Sequence, residues 1–182
     1  MKKSFILILL TIICTAAYSQ SAAPSETSSV KWYTPQEAEK LDRKDPRPIF
    51  VDTYTDWCGW CKKMDKETFT NQVISDILNT KYYPVKFNAE GKDSLTFFGQ
   101  KFINDGKSGN THQFALALLN GQLSYPTVVF LLPQQDGKLQ ISQVPGFKVA
   151  KDMEVILNFF ADKAYTTQKF DDYQKTFQGK VR

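Results

Sequence analysis

Residues 49–62 read IFVDTYTDWCGWCK and place two cysteines, Cys58 and Cys61, directly after an apolar run. The β-branched and aromatic residues at 49–54 predict a buried strand with one acid, Asp52, set inside it. Mostly strong helix formers follow the second cysteine, so the first one is expected at the N-terminus of a helix. The two thiols are therefore predicted to lie where a strand gives way to a helix.

The spacing of Cys58 and Cys61 favours redox chemistry. A disulfide across two residues closes a loop too small to remove much chain entropy from the unfolded state. The thiolate is the species that attacks a disulfide, and the free N–H groups and dipole of a helix N-terminus stabilise this anion. We therefore predict that Cys58 attacks a partner disulfide and that Cys61 resolves the mixed disulfide.

A CxxC pair can also form a structural disulfide, hold a metal ion or attach a haem. A structural disulfide stays open as an alternative, despite the small loop. A metal site lacks further ligands, because His112 is the only histidine and no second CxxC exists. Haem attachment needs a histidine directly after the second cysteine, where Lys62 stands. We therefore expect no metal and no cofactor.

The N-terminus of the chain predicts export. Residues 1–19 combine two lysines, a short apolar run and small residues, a pattern typical of a signal peptide cleaved after Ser19. The apolar run is shorter than the roughly 20 residues that cross a bilayer, so no stable membrane span is expected after cleavage, with an uncleaved anchor as the alternative. Residues 20–29 are small and polar and predict a flexible lead. Residues 30–182 then suit one domain.

The charge balance gives no case for nucleic acid. The chain carries 23 Lys and Arg residues against 19 Asp and Glu residues. The lysines of the C-terminal segment are interleaved with Asp and Gln, which is typical of a solvated helix face. A small positive excess spread in this way is not the electrostatic footprint of a nucleic-acid-binding protein.

The rest of the chain predicts alternating strands and helices. The predicted strands are 30–33, 82–88, 127–132 and 139–144, and the predicted helices are 35–41, 71–78, 94–103, 111–119 and 149–165. Asp136 and Gly137 mark a hairpin turn between the last two strands. This order of elements predicts an α/β fold with a central mixed sheet flanked by helices.

Residues 51–62 resemble the active-site strand and turn of thioredoxins. The run that continues to Phe69 looks most like exported thioredoxin-fold disulfide reductases such as the soluble reducing domain of DsbD. The resemblance implies that residues 30–182 form a thioredoxin-like domain. It is weakest at residues 91–124, which are longer than the corresponding stretch of thioredoxin and are predicted to form a helical insertion before the strand that follows the cis-proline.

The resemblance also implies roles for residues outside the CxxC. Asp52 matches a buried acid that relays a proton to or from the resolving thiol, with a solvent-facing strand-end acid as the alternative. Lys86 resembles a lysine that pairs with this acid, which makes it a possible part of the proton relay. Pro126, preceded by Tyr125, matches a cis-proline that faces the active site, and Gly146 matches a glycine near the same surface.

The surroundings of the thiols are expected to receive a substrate chain. Trp57, Gly59 and Trp60 flank the cysteines, and Tyr125 and Pro126 complete the predicted substrate-binding set. Trp60 is expected to be partly exposed, whereas Trp57 is expected to pack. The dipeptide between the cysteines is expected to tune the redox potential.

These features predict a thiol–disulfide oxidoreductase that acts on exported proteins in the periplasm or another extracytoplasmic compartment. Its partners would be protein or peptide disulfides and a redox protein that recycles the dithiol. Reduction is favoured because the resemblance is to reducing domains. A disulfide oxidase or isomerase, and a thioredoxin-fold binding module without turnover, are the alternatives. Proteins with this chemistry span about 150 mV in redox potential. The sequence motif alone therefore does not decide whether the protein reduces or oxidises its substrates.

Overall fold

The structure is a computed structural model that describes residues 29–134 and 138–182. The described strands are β1 (Ile49–Tyr54), β2 (Tyr83–Asn88), β3 (Leu95–Phe97), β4 (Gln100–Phe102), β5 (Thr127–Pro133) and β6 (Leu139–Pro145). The helices are α1 (Pro35–Asp42), α2 (Gly59–Glu67), α3 (Gln72–Lys81), α4 (Gln113–Leu118), α5 (Ala150–Ala161) and α6 (Phe170–Thr176), with a 3-10 turn at Ala164–Thr166. The predicted signal peptide, most of the flexible lead and the tip of the predicted hairpin turn lie outside the described residues.

The central sheet has four strands in the order β2-β1-β5-β6. β1 pairs in parallel with β2, whereas β1 and β5, and β5 and β6, are antiparallel. Alternate residues of β1 face opposite sides, so Phe50 enters one buried cluster and Val51 the other. α2, α3 and α5 cover the Phe50 face, while α1, α4 and the β3–β4 hairpin cover the Val51 face. The predicted mixed sheet flanked by helices is confirmed.

Side-chain caps set where α1 and α3 begin. Thr34 and Glu37 form the reciprocal capping box of α1, in which the Glu37 carboxylate accepts the Thr34 N–H at 2.8 Å. Asn71 caps α3 by accepting the backbone N–H of Val73 at 3.0 Å. These local signals fix where α1 and α3 begin and therefore how they approach the sheet.

The inserted segment differs from its prediction in its first half. The predicted helix at 94–103 is wrong, because the chain forms the β3–β4 hairpin there. Leu95 and Phe97 are buried and Thr96 between them is exposed, which is the period of a strand. Phe98 and Gly99 have φ values of 46° and 78° and form the two-residue turn that such a hairpin needs. The second predicted helix of the insertion is confirmed as α4.

Two further elements are shorter than predicted. The strand predicted at 30–33 is wrong, because only Tyr33 pairs there, in an isolated parallel bridge with Val85. The backbone before Tyr33 is bonded instead by the side chain of Asn79, which accepts the Lys31 N–H at 2.8 Å and donates to the Ser29 carbonyl at 3.0 Å. The helix predicted at 149–165 ends at Ala161, because Lys163 adopts a left-handed φ of 56° and the chain continues as the 3-10 turn.

Candidate active site

The CxxC pair lies at the N-terminus of α2, as the sequence predicts. Cys58 is the N-cap residue, and its sulfur accepts the backbone N–H of Cys61 at 3.1 Å. The two cysteines are joined by a disulfide, and both are buried, whereas Gly59 between them is exposed. A sulfur at this position faces the positive end of the helix dipole, which favours a thiolate in the reduced form.

Asp52 lies in the middle of the sheet on β1 and is 1% exposed. The solvent-facing alternative for this acid is therefore wrong. Burial raises the pKa of Asp52 from its ordinary value of 3.8 to about 6, although the positive charge of Lys86 opposes the shift. One carboxylate oxygen accepts a hydrogen bond from the Lys86 Nζ atom at 2.8 Å, while the other has no partner among the described residues. The geometry suits a group that gains and loses a proton near neutral pH.

Lys86 lies opposite Asp52 because β1 and β2 run in parallel with these two residues in register. Its ammonium group also pairs with Asp65, which lies on α2 one turn after Cys61. Burial by itself would lower the pKa of Lys86, but the charges and hydrogen bonds of the two carboxylates outweigh it and raise the pKa. The ammonium lies 5.0–5.6 Å from the centroids of three aromatic rings, those of Trp32, Tyr54 and Phe69.

Asp65 is the residue of this cluster that sequence reasoning missed. Its one available signal is its spacing, since it follows Cys61 by four positions on a predicted helix. A cleft of about 480 Å³, lined in part by Trp32, Asp65 and Lys86, opens beside the cluster. Lys86 therefore lies between the buried Asp52 and an opening to solvent.

The Tyr125–Pro126 peptide bond is cis, as the resemblance implies. The Pro126 carbonyl accepts the N–H of Gly146 at 2.8 Å, which ties the start of β5 to the end of β6. Gly146 has a φ of 82°, a conformation that a side chain disfavours. The backbone N–H and carbonyl of Tyr125 have no hydrogen-bond partner within the described part of the chain.

The two tryptophans beside the thiols are both exposed, Trp57 at 67% and Trp60 at 58%. Partial exposure of Trp60 was predicted, but the predicted packing of Trp57 is wrong. The Trp57 indole lies outside the core, edge-on to the Tyr125 ring at 6.0 Å between centroids. Its Nε1 donates to a Glu90 carboxylate oxygen at 3.1 Å. The Trp60 ring lies 5.5 Å from that of Phe147.

His112 has a structural environment. It is fully buried and caps α4, with its Nδ1 accepting the N–H of Phe114 at 3.0 Å. Its Nε2 lies 3.0 Å from the Asp93 carbonyl oxygen. Among residues 29–134 and 138–182, no three His, Cys, Asp or Glu side chains are grouped as a metal site requires. In the same residues, no helix combines the length and the apolar character needed to cross a membrane.

The family model Thioredox_DsbH, described as a protein of unknown function (DUF255), matches residues 14–170. The chain belongs to the Thioredox_DsbH family. The match includes the CxxC pair, Asp52, Lys86 and Pro126, and it ends at the first residue of α6.

Relatives among curated proteins match only part of their own length. Human spermatogenesis-associated protein 20 is 32% identical over 81 residues, which cover 44% of this chain and 10% of that protein. The thiol:disulfide interchange protein DsbD of Pectobacterium atrosepticum is 27% identical over 118 residues, 65% of this chain and 17% of DsbD. The chain therefore corresponds to a small part of each of these longer proteins.

Solved structures show the fold. DsbH oxidoreductase superposes with a TM-score of 0.54 over 81% of this chain and 95% of that one, at 18% identity. A thioredoxin from Thermus thermophilus gives a TM-score of 0.53 over 72% of this chain and 86% of that one, at 20% identity. The predicted thioredoxin fold is confirmed, with the CxxC at the position where the strand meets the helix.

Proposed function

We propose that this protein is an exported thiol–disulfide oxidoreductase that reduces disulfides of exported proteins or peptides. The observation that carries the proposal is the position of Cys58 as the N-cap of α2, with its sulfur accepting the Cys61 N–H. This arrangement favours the thiolate that the attack on a disulfide needs. The match to Thioredox_DsbH and the similarity to DsbD support the same chemistry.

The reaction balances as a dithiol–disulfide exchange. The Cys58 thiolate attacks one sulfur of the substrate disulfide, and the other sulfur leaves as a thiolate that takes up a proton. Cys61 then loses its proton to the Asp52 carboxylate and attacks the sulfur of Cys58. The second substrate sulfur leaves as a thiolate that takes up a proton from solvent, and the Cys58–Cys61 disulfide remains. A redox partner protein must return two electrons and two protons before the next cycle.

Asp52 is suited to the second step because its pKa is raised to about 6. An acid in this range is mostly ionised at neutral pH but still takes up a proton readily, as a general base requires. Lys86 would hold the charged form of Asp52 in place, and its position beside the cleft would let the proton pass on to solvent.

The substrate chain would bind across the exposed surface around the thiols. Tyr125 offers a backbone N–H and carbonyl without partners, which an extended peptide can pair with as an added strand. Trp57 and Trp60 provide flat apolar contacts on either side of Gly59, and the buried Pro126 fixes the backbone that precedes β5.

Insulin reduction tests this activity directly. The wild-type protein should reduce insulin with dithiothreitol as electron donor, and Cys58→Ser should not. Cys61→Ala should accumulate a mixed disulfide through Cys58, because the resolving step is removed. A wild-type protein that gives no turnover, with no trapped adduct in the Cys61→Ala variant, would favour the binding module instead.

The redox potential tests the direction. Equilibration with glutathione should give a value toward that of thioredoxin, about −270 mV, if the protein is a reductase. A value near about −120 mV would overturn reduction in favour of an oxidase. Export is tested separately by sequencing the N-terminus of the protein after expression in a bacterial host. Cleavage after Ser19 and recovery from the periplasm would support the proposed location.

A further inference from the structure

The two exposed tryptophans at the thiols differ in what lies against them. Lys63 places its ammonium 5.2 Å from the Trp60 ring centroid and 5.4 Å from that of Phe147. Within the described part of the chain, no Lys or Arg lies over Trp57 in this way, although Trp57 is the more exposed of the two. The face of Trp57 is thus open to a cation from another molecule, whereas Trp60 already has one from its own chain.

Two acidic residues neighbour Trp57, one through a hydrogen bond and one along the chain. Glu90 accepts the hydrogen bond from its indole Nε1, and Asp56 precedes it in the chain. Asn88 connects the two acids, because its amide group donates to Asp56 at 3.1 Å and its carbonyl accepts the Glu90 N–H at 2.9 Å. Neither carboxylate forms an ion pair with any residue in 29–134 or 138–182.

Glu90 also acts on the ring that faces Trp57. Burial raises the pKa of Tyr125, and the negative charge of Glu90 raises it further. The carboxylate therefore lies close to both aromatic rings of this side of the site. Its negative charge therefore lies beside two of the residues, Trp57 and Tyr125, that form the proposed substrate-binding surface.

The inserted segment braces the turn that carries Glu90. The Asn104 side chain donates to the backbone carbonyls of Glu90 and Gly91 at 3.3 and 3.0 Å. The N–H of His112 donates to the Ala89 carbonyl at 2.7 Å. The backbone that carries Glu90 is consequently held by two residues that follow the β3–β4 hairpin. A fixed backbone at this point lowers the entropy lost when a partner binds to the Glu90 carboxylate.

We propose that Trp57, Glu90 and Asp56 form a cation-binding subsite that selects disulfide substrates with Arg or Lys close to the reacting cysteine. The inference rests on the proposed function and names its substrate class. The basic side chain would lie over the Trp57 ring and pair with the carboxylates while the neighbouring cysteine reacts with Cys58. Surface ion pairs and exposed cation–π contacts are each modest, so the preference is a matter of several-fold.

Peptide disulfides of matched sequence test the preference. Three probes carry a cysteine flanked on both sides by Arg, Gln or Glu, each joined to thionitrobenzoate as a mixed disulfide. Attack by Cys58 on the peptide sulfur releases the coloured thionitrobenzoate anion, which leaves more easily because its thiol has the lower pKa. Each rate is divided by the rate with dithiothreitol alone, which removes the intrinsic reactivity of the peptide.

The wild-type protein should prefer the Arg probe to the Gln probe about fivefold and should disfavour the Glu probe. Glu90→Gln should reduce the preference to about twofold, and Glu90→Lys should reverse it toward the Glu probe. Asp171→Asn, which removes an exposed acid of α6, is the matched control and should leave the preference unchanged. Added salt should weaken the wild-type preference, because exposed charges are screened.

Equal rates with all three probes, or a preference that survives Glu90→Lys, would overturn the subsite. In that case reaction of the Gln probe, absent in Cys58→Ser, would still uphold the oxidoreductase activity. If no probe reacts with the wild-type protein, both the subsite and the activity are wrong. The two failures are therefore distinguishable.

Discussion

Replacing Asp52 by Asn should stabilise the protein, and by an amount that depends on pH. The pKa of the buried carboxyl is raised from 3.8 to about 6 in the folded protein. One pKa unit corresponds to 1.36 kcal/mol, so folding disfavours the ionised carboxyl by about 3 kcal/mol. Asn has a similar shape, carries no charge, and keeps an oxygen that can accept the hydrogen bond from Lys86. Lys86 also keeps its ion pair with Asp65.

The sign of the pH dependence follows from proton binding. Between about pH 4 and pH 6 the folded protein binds more protons at Asp52 than the unfolded chain does, so its stability falls as the pH rises through this window. The Asn variant lacks this titration. Its advantage over the wild type should therefore grow by about 2 kcal/mol from pH 4 to pH 7, which is the larger part of the total of about 3 kcal/mol, and then stay constant.

Urea unfolding of the oxidised protein at several pH values measures this difference. Asp56→Asn is the matched control, because it makes the same chemical change at an exposed acid four positions along the chain. The control should change the free energy of unfolding by less than about 1 kcal/mol at every pH. A difference between wild type and Asp52→Asn that is the same at pH 4 and pH 7 would refute the reasoning.

Three further predictions concern Asp52→Asn and two other variants. Asp52→Asn should also slow the release of substrate from the mixed disulfide by roughly 100-fold, while the attack by Cys58 keeps its rate. Stopped-flow kinetics can follow the two steps separately, and an equal slowing of both would contradict this prediction. Thr34→Ala removes the side-chain cap of α1 and should lower the free energy of unfolding by about 1 kcal/mol, so an unchanged urea midpoint would count against the capping box. The buried Glu154 carboxylate accepts the backbone N–H groups of Lys180 and Val181, one with each oxygen. Glu154→Gln replaces one of these oxygens by an N–H₂ group, which cannot accept a hydrogen bond. Hydrogen exchange in the C-terminal tail should then become faster, and unchanged protection would show that the tail is held by other contacts.

Local signals in the sequence predicted the framework of the site. A β-branched run gives β1, and helix formers after Cys61 give α2, so the position of Cys58 follows from its neighbours alone. The capping residues Thr34 and Asn71 likewise act within one helical turn. Such interactions join residues a few positions apart, and sequence reasoning can therefore find them.

The incorrect predictions concern residues whose structure depends on tertiary contacts, or whose apolar residues follow the spacing of a strand and not that of a helix. Residues 94–103 contain polar residues that a helix tolerates, but the alternation of Leu95, Thr96 and Phe97 matches a strand, and Phe98-Gly99 supplies the turn. Trp57 was expected to pack, but its indole is exposed. Its exposure depends on contacts with residues distant in the sequence, above all its hydrogen bond to Glu90.

The cluster of Asp52, Lys86 and Asp65 depends on the register in which β1 and β2 pair, and this register cannot be read from the sequence. Lys86 is 34 positions away and reaches the carboxylate only because β1 and β2 pair in parallel with these residues opposite each other. The pairing was expected from the resemblance and not from the residues themselves. Asp65 joins the cluster from a third element, and no pattern along the chain connects it to Lys86.

The effect of Asp52 on the stability of the protein can distinguish a structural role of this residue from a chemical one. A residue that served packing alone would gain from being uncharged at this position, since burial disfavours its ionised form and one of its oxygens lacks a partner among the described residues. An acid here lowers stability at neutral pH, but it provides a proton acceptor on the strand that leads to the CxxC. If Asp52→Asn proves both more stable and slower in the resolving step, its carboxyl serves the chemistry. If the variant is more stable and equally fast, the proton of Cys61 leaves by another route.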